Sequence, residues 1–399
     1  MPPGFAELVN EKAAVDLVME MMAVPGKSGQ EGRIAELISG KLRKAGVPAS
    51  TIMFDSAHKK SHMGGEVGNL IVKLPGTVRG PRRLLMGHMD TVPLCVGSQP
   101  VRKGAWIKSR DPETALGGDN RAGASVALGA ALTILKHSLP HPPLTLFFPI
   151  QEEVGLVGAR HVSGAKLGKP KLCFNWDGGA PNVAVIGATG DDHLDIEVYG
   201  LASHAGAHPE DGVSAVAIAG KAIADLMENG WHGLVSKGRK SGTSNIGYIG
   251  GGEATNVVLN RVTLRAEARS HDPKFRARIV DAYRRAFARA AKSTRSAAGE
   301  SGRVEISVRD KYEAFRLSKS EPCVKAALAA VEAVGLPAET RIINGGLDAN
   351  WLTANGFPTV TLGCGQAGIH TVEETLFVEG YLQACRIGLL LACGGVRES

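Results

Sequence analysis

Histidines and carboxylates gather in five short stretches of this 399-residue chain. They are Gly87-His88-Met89-Asp90-Thr91, Gly117-Gly118-Asp119, Gln151-Glu152-Glu153, Asp177-Gly178-Gly179, and a late Gly-rich stretch ending at His370. Two imidazoles with several carboxylates form a ligand set for zinc, manganese or cobalt, and no thiolate is needed. The set is large enough for two ions if one carboxylate bridges them, an arrangement that serves hydrolysis. Asp90 lies two residues beyond His88, hence on the same side if the strand continues, and a carboxylate commonly orients a metal-bound imidazole. Adjacent residues rarely point the same way. Glu152 and Glu153 therefore suggest separate tasks: one binds metal, the other stands off and handles a proton. His58, His62, His137, His141 and His232 read as ordinary hydrogen-bonded residues. His204, in GLASHAGAHPEDG, falls in a different domain and is not an obvious metal ligand.

Four of the groups follow a predicted strand, and Gly117-Gly118-Asp119 lies in the loop before a long helix. Apolar runs at 69–74, 82–86, 144–149 and 171–176 are bounded by Gly, Pro or charge, as buried strands are. A helical pattern covers 121–137. Strands alternating with helices predict an α/β fold: a mixed, mostly parallel sheet with helices on both faces. In open sheets of this kind ligands bind outside the carboxyl ends of the strands, where these histidines and acids fall. The pattern changes near Gly190. An alternating strand at 193–200, a helix at 212–228, strand-like runs at 244–249 and 261–268, a basic helix and a strand at 304–308 predict an inserted α+β domain. The α/β pattern then resumes with a helix, the GGLDAN turn, a strand at 359–362 and a last helix near 376–393. The expected division is 1–190, then the insert 191–312, then 313–399.

Composition excludes several classes. With 44% apolar and 21% charged residues the chain is globular rather than disordered. Its length allows two or three domains. The longest nearly uncharged apolar stretch, 122–135, is too short to span a bilayer. The N-terminal MPPGFAELVNEKAAVDLV carries acids and no basic start, unlike a secretory signal. None of the six cysteines has CxxC spacing, so free thiols in a reducing compartment, the cytoplasm, are expected. The net charge of +7 is local, because 274–303 holds nine basic and two acidic residues. There Phe275, Ile279, Tyr283 and Phe287 recur every four residues, which marks a solvated amphipathic helix. Without stacking aromatics or a groove-binding motif, neither a nucleic-acid nor a membrane partner is expected.

GHMDTVP, LGGDNRAG, QEEVGLVGAR, NWDGG, SHAGAHPEDG, TNVV, EARSHD, GGLDAN and GIHTVEE follow one another in that order. Together they resemble the co-catalytic zinc exopeptidases that include peptidase T, carboxypeptidase G and acetylornithine deacetylase, over nearly the whole chain from PGKSGQEGRI onward. The resemblance implies two divalent ions, zinc first, with cobalt or manganese as alternatives. It implies that His88 and Asp177 bind one ion, that Glu153 and His370 bind the other, and that Asp119 bridges them through a residue whose bond to Asn120 is cis in relatives. Asp90 would orient His88, and Glu152 would be the general base. The insert would be a dimerisation or lid domain. Its His204 would reach a partner subunit's site and stabilise the oxyanion, and Arg269 and Asn256 would hold substrate.

Deacetylases of the superfamily usually carry a GRG…DMKGG type segment around the bridging aspartate. ALGGDNRAG is closer to the LGADDKAG form of peptidase T. The resemblance therefore implies a homodimeric aminopeptidase acting on dipeptides or tripeptides. The alternative is an N-acyl-amino-acid deacylase, which needs the same metals and base and differs only in what its pocket accepts.

Overall fold

The computed structural model describes residues 4–394. They form two compact units: one holds the chain up to Gly187, Arg316–Ile343 and the residues from Leu347 on, and the other holds Ala188–Phe315 and Asn344–Gly346.

The first unit is built on a nine-stranded sheet. At its centre Leu144–Phe148, Arg83–Met86, Leu172–Trp176 and Thr359–Leu362 lie side by side and parallel. All of their residues are buried, which is why they read as continuous apolar runs rather than as alternation. Antiparallel strands flank them: Leu70–Leu74 and Ile52–Phe54 on one side, Val183–Ala188 on the other. Leu84, Met86, Phe147 and Cys173 pack with Ala159 and Leu352, which belong to the short helices Val157–His161 and Asp348–Ala354. On the other face the helices Glu11–Ala23, Gly118–His137 and Val378–Cys393 pack together, and Gly388 lets the last of them lie close against Val126 of the second. The predicted mixed, mostly parallel sheet with helices on both faces is the observed one.

A four-stranded sheet in the same unit was not anticipated. It joins Gln366–Ala367, Thr375–Phe377, Trp106–Ser109 and Pro100–Lys103. Strands of two to four residues are too short to show a period. The first two form a hairpin whose loop carries His370 and Glu374.

In the second unit an antiparallel sheet runs in the order Gly233–Lys237, Lys240–Gly250, Arg261–Ser270, Gly190–Tyr199, Arg303–Tyr312. Leu194, Ile196 and Val198 alternate inward and meet Phe275, Ile279, Tyr283 and Phe287 of the helix Pro273–Ser293. That helix buries its four-residue apolar stripe and leaves most of its arginines outside. Arg276 is the exception, buried against Asp192 and Glu313.

All six cysteines are free and buried. Burial pushes the thiols of Cys95, Cys323, Cys385 and Cys393 up to about 12, far from the range of a nucleophilic thiolate. Among the described residues no helix is long and apolar enough to cross a membrane.

Candidate metal centre and active site

The parallel strands end at Met86, Phe148, Trp176 and Leu362, and the histidines and acids follow in the loops beyond them. After Met86 the chain leaves the sheet at Gly87. A Cβ there would lie 2.5 Å from the backbone nitrogen of Ala124, so only glycine allows the strand to approach the helix so closely. The strand does not continue through His88 and Asp90, which corrects the expectation that the two share one face of it. They meet through a loop instead. His88 Nδ1 lies 3.1 Å from the Asp90 main-chain oxygen and 3.3 Å from Asp90 Oδ1. Both are acceptors, so Nδ1 carries a proton, and Nε2 points the other way. Nε2 faces Asp119 Oδ1 at 3.3 Å, Asp177 Oδ1 at 3.9 Å and Glu152 Oε2 at 4.0 Å.

Asp119 sits where the helix Gly118–His137 is broken. Asp119 and Asn120 have non-helical backbone angles, and the bond between them is cis. The first turn is held by Glu374, which is buried and accepts from the N–H groups of Gly117 (2.7 Å) and Asp119 (2.9 Å). Asn120 donates to the Trp176 carbonyl at 2.6 Å, and Gln366 donates to Asn120 at 3.0 Å. Thus presented, Asp119 turns Oδ1 to His88 and Oδ2 to His370 Nε2, 3.2 Å away. His370 also lies 3.0 Å from Glu153 Oε2.

Asp90 does more than face His88. It accepts from the N–H of Glu152 (3.0 Å), the N–H of Glu153 (3.2 Å) and the Ser28 hydroxyl (2.7 Å). One buried carboxylate thereby sets the first histidine and both glutamates.

The residues fit divalent ions on two grounds. Ligand atoms of His88, Asp119 and Asp177 lie within 4.8 Å of one another, as do those of Asp119, Glu153 and His370, and the two triads share Asp119. Asp119 Oδ1 is buried and has no hydrogen-bond partner among the described residues. Electrostatics agree. Burial, reinforced by neighbouring carboxylates, pushes Glu152 and Asp177 well above the usual carboxylate range. Such crowded acids call for positive charge. Glu152 forms a third such group with His88 and Glu153, but it stands outside both Asp119-centred triads.

In the second unit Asp191, His193 and Glu267 also come close enough to share an ion. There the cation is already present: Arg269 grips both oxygens of Glu267, at 3.0 and 2.9 Å, and reaches Asp191 at 3.6 Å. Asn256 is exposed, and its carbonyl accepts from the N–H of Ala205. His204 is exposed too. Its Nδ1 accepts from the N–H groups of Gly206 (3.2 Å) and Ala207 (3.1 Å), so the ring proton resides on Nε2.

Sequence reading passed over Glu374, Ser28, Glu31 and Asp348. Glu374 and Asp348 stand inside GIHTVEE and GGLDAN, motifs quoted above without roles for these acids. Asp348 is buried, has no hydrogen-bond partner for either oxygen among the described residues, and is pushed up to about 7, chiefly by burial.

A Bacillus subtilis protein of unassigned function, YqjE, is 30% identical over 373 residues, covering 93% of this chain and 95% of its own length. The structure superposes on that of aminopeptidase PepT from Bacillus cereus with a TM-score of 0.83 and 30% identity, covering 96% and 98% of the two chains. A tripeptidase from Staphylococcus aureus gives 0.85 and 30% identity, with 96% and 99% covered. The sequence profile of peptidase family M20/M25/M40 matches residues 84–392, a span that begins one strand before His88 and takes in every residue of both triads. The chain belongs to peptidase family M20/M25/M40.

Proposed function

We propose that this protein is a metal-dependent aminopeptidase that cleaves dipeptides and tripeptides in the cytoplasm. The observation that carries the proposal is the Asp119 carboxylate, with one oxygen turned to His88 and the other to His370. In this reading His88 and Asp177 hold one divalent ion, Glu153 and His370 hold the second, and Asp119 bridges them. The oxygen-and-imidazole set suits zinc, with cobalt or manganese as substitutes. When bound, two such ions acidify water and polarise a carbonyl. Glu152 accepts the proton of the attacking water and returns it to the leaving amine. Asp90 keeps His88 in the Nδ1–H tautomer and both glutamates in place. The buried free thiols support a reducing compartment.

The chain acts as a homodimer through the second unit, the dimerisation or lid domain of this reading. That unit exposes Leu234, Tyr248 and Ile249, apolar side chains that a partner would cover. His204, with its proton on Nε2 and that nitrogen free to donate, stabilises the oxyanion in the partner subunit's site. Asn256 and Arg269 hold the substrate, and a substrate carboxylate at Arg269 shares the guanidinium with Glu267.

Metal analysis and a substrate panel test the reading. Free-amine dipeptides and tripeptides should be cleaved, whereas N-acetyl and N-succinyl amino acids should not. The reverse preference would make the enzyme a deacylase. The trans role has its own test. His204→Ala should lower kcat about 10²–10³-fold at unchanged metal content, the typical loss for one oxyanion donor. Verified heterodimers with a Glu152→Gln subunit should regain activity, since one site recovers both groups. Heterodimers that stay inactive would count against action in trans.

A further inference from the structure

PGKSGQEGRI supplies none of the groups used so far except the Ser28 hydroxyl, yet it is tied firmly to the site. Ser28 N–H donates to the Thr91 carbonyl, and Thr91 N–H donates to that of Gly26. Arg121, fully buried, donates to the carbonyls of Val24 and Gly26. At the end of the segment Glu31 is also fully buried, just before the helix Gly32–Lys44. Its carboxylate folds back. Oε1 accepts from the N–H of Gly29 at 2.9 Å and from the N–H of Gln151 at 3.1 Å.

Gln151 is the residue at which the chain turns out of the sheet toward the two glutamates. Its φ is +52°, a left-handed conformation uncommon for a side chain of this kind. Several contacts hold it there. Its side-chain amide donates to the Gly64 carbonyl at 2.6 Å and accepts from the Ser61 hydroxyl at 2.5 Å. A Cβ on Gly65 would lie 2.7 Å from that amide nitrogen, so the clamp closes against a glycine. Three consecutive N–H groups then end on two buried acids: that of Gln151 on Glu31, and those of Glu152 and Glu153 on Asp90.

We infer that Glu31 is a positioning residue for the hydrolytic step: it pins the left-handed turn at Gln151 and thereby sets where the Glu152 carboxylate stands. This rests on the reading of Glu152 as the general base. Glu31 acts through the backbone, by accepting from the N–H groups of Gly29 and Gln151. The demand it meets is one of geometry, an oxygen at a fixed place, rather than one of charge. Burial, with Asp90 nearby, pushes its carboxyl up to about 7, so a neutral side chain of the same shape is a fair substitute. A general base misplaced by about 1 Å loses on the order of 10²-fold in rate.

Three variants separate shape from charge. Glu31→Gln keeps a carbonyl oxygen where Oε1 stands. Glu31→Asp keeps the charge but draws the oxygen back by one methylene. Glu31→Ala removes it. Glu31→Ala and Glu31→Asp should lower kcat about 10–100-fold, with KM and metal content near wild type, whereas Glu31→Gln should stay within about threefold of wild type. Amide hydrogen exchange of the metal-free protein supplies a readout independent of turnover. Exchange over 150–156 should quicken in Glu31→Ala and Glu31→Asp and stay slow in Glu31→Gln. A Gln variant as impaired as the Ala variant would overturn the inference. So would normal turnover of Glu31→Ala, or faster exchange spread over the helix Gly32–Lys44 instead of 150–156. Glu152→Gln is assayed alongside. If that variant keeps its activity the general-base reading fails, while the exchange data still decide whether Glu31 holds the turn.

Discussion

Glu152→Gln should lose about 10²–10⁴-fold in kcat while keeping its fold and its metal. The amide has the shape of the carboxyl and cannot carry the proton. Its backbone N–H still meets Asp90, so the turn stays intact. Metal content should hold because Glu152 lies outside the two triads that share Asp119. The metal-free protein makes a second check. Burial and the acids around it raise the folded-state carboxyl above its unfolded value. Such a group binds more protons folded than unfolded, so it lowers stability as pH rises above the unfolded value. Metal-free Glu152→Gln at pH 7 should therefore melt no lower than metal-free wild type. Calorimetry, metal analysis and a peptide assay read all three. Turnover near wild type would remove Glu152 from the proton path.

Asp119→Ala should lose both ions, and His370→Ala mainly one. The difference lies in what each side chain faces. Asp119 presents one oxygen to the His88 side and the other to the His370 side. Its removal takes a ligand from each position and leaves the remaining acids repelling one another. His370 is half exposed, and the carboxylates it touches are those of Asp119 and Glu153. The position built on those two keeps all its ligands in His370→Ala. Metal-to-protein ratios by mass spectrometry after dialysis decide the point. An Asp119→Ala protein that retains two ions would place the bridge elsewhere.

Much of this site could be read from residue order because the parallel strands are continuous apolar runs. A strand buried on both faces admits few polar residues, and here those are Arg83, Thr145, Asn175, Thr359 and Thr361, with no histidine or carboxylate among them. The first histidine or acid after each run, at His88, Glu152 and Asp177, therefore marks the carboxyl end of a strand, and those ends share one edge. The same local logic revealed the stripe Phe275–Ile279–Tyr283–Phe287, since a helix repeats its buried face every three to four residues. Long-range geometry was not legible in this way. The strand before His88 stops at Met86, so Asp90 reaches the imidazole through a loop and through its main-chain oxygen as much as its carboxylate. The helix predicted from Arg121 begins earlier and breaks at Asp119, and that break turns the carboxylate toward two histidines. His370 is aimed by a hairpin of two- and three-residue strands, too short for any period. Glu31, Glu374 and Ser28 are distant in sequence from what they hold, and no spacing rule links them to it. The chain's own order thus determined which residues are candidates to bind metal and carry a proton, because burial and period are local properties. The tertiary structure alone decided which oxygen faces which nitrogen, because hydrogen bonds between segments as far apart as Gly117 and Glu374 depend on how the chain closes on itself.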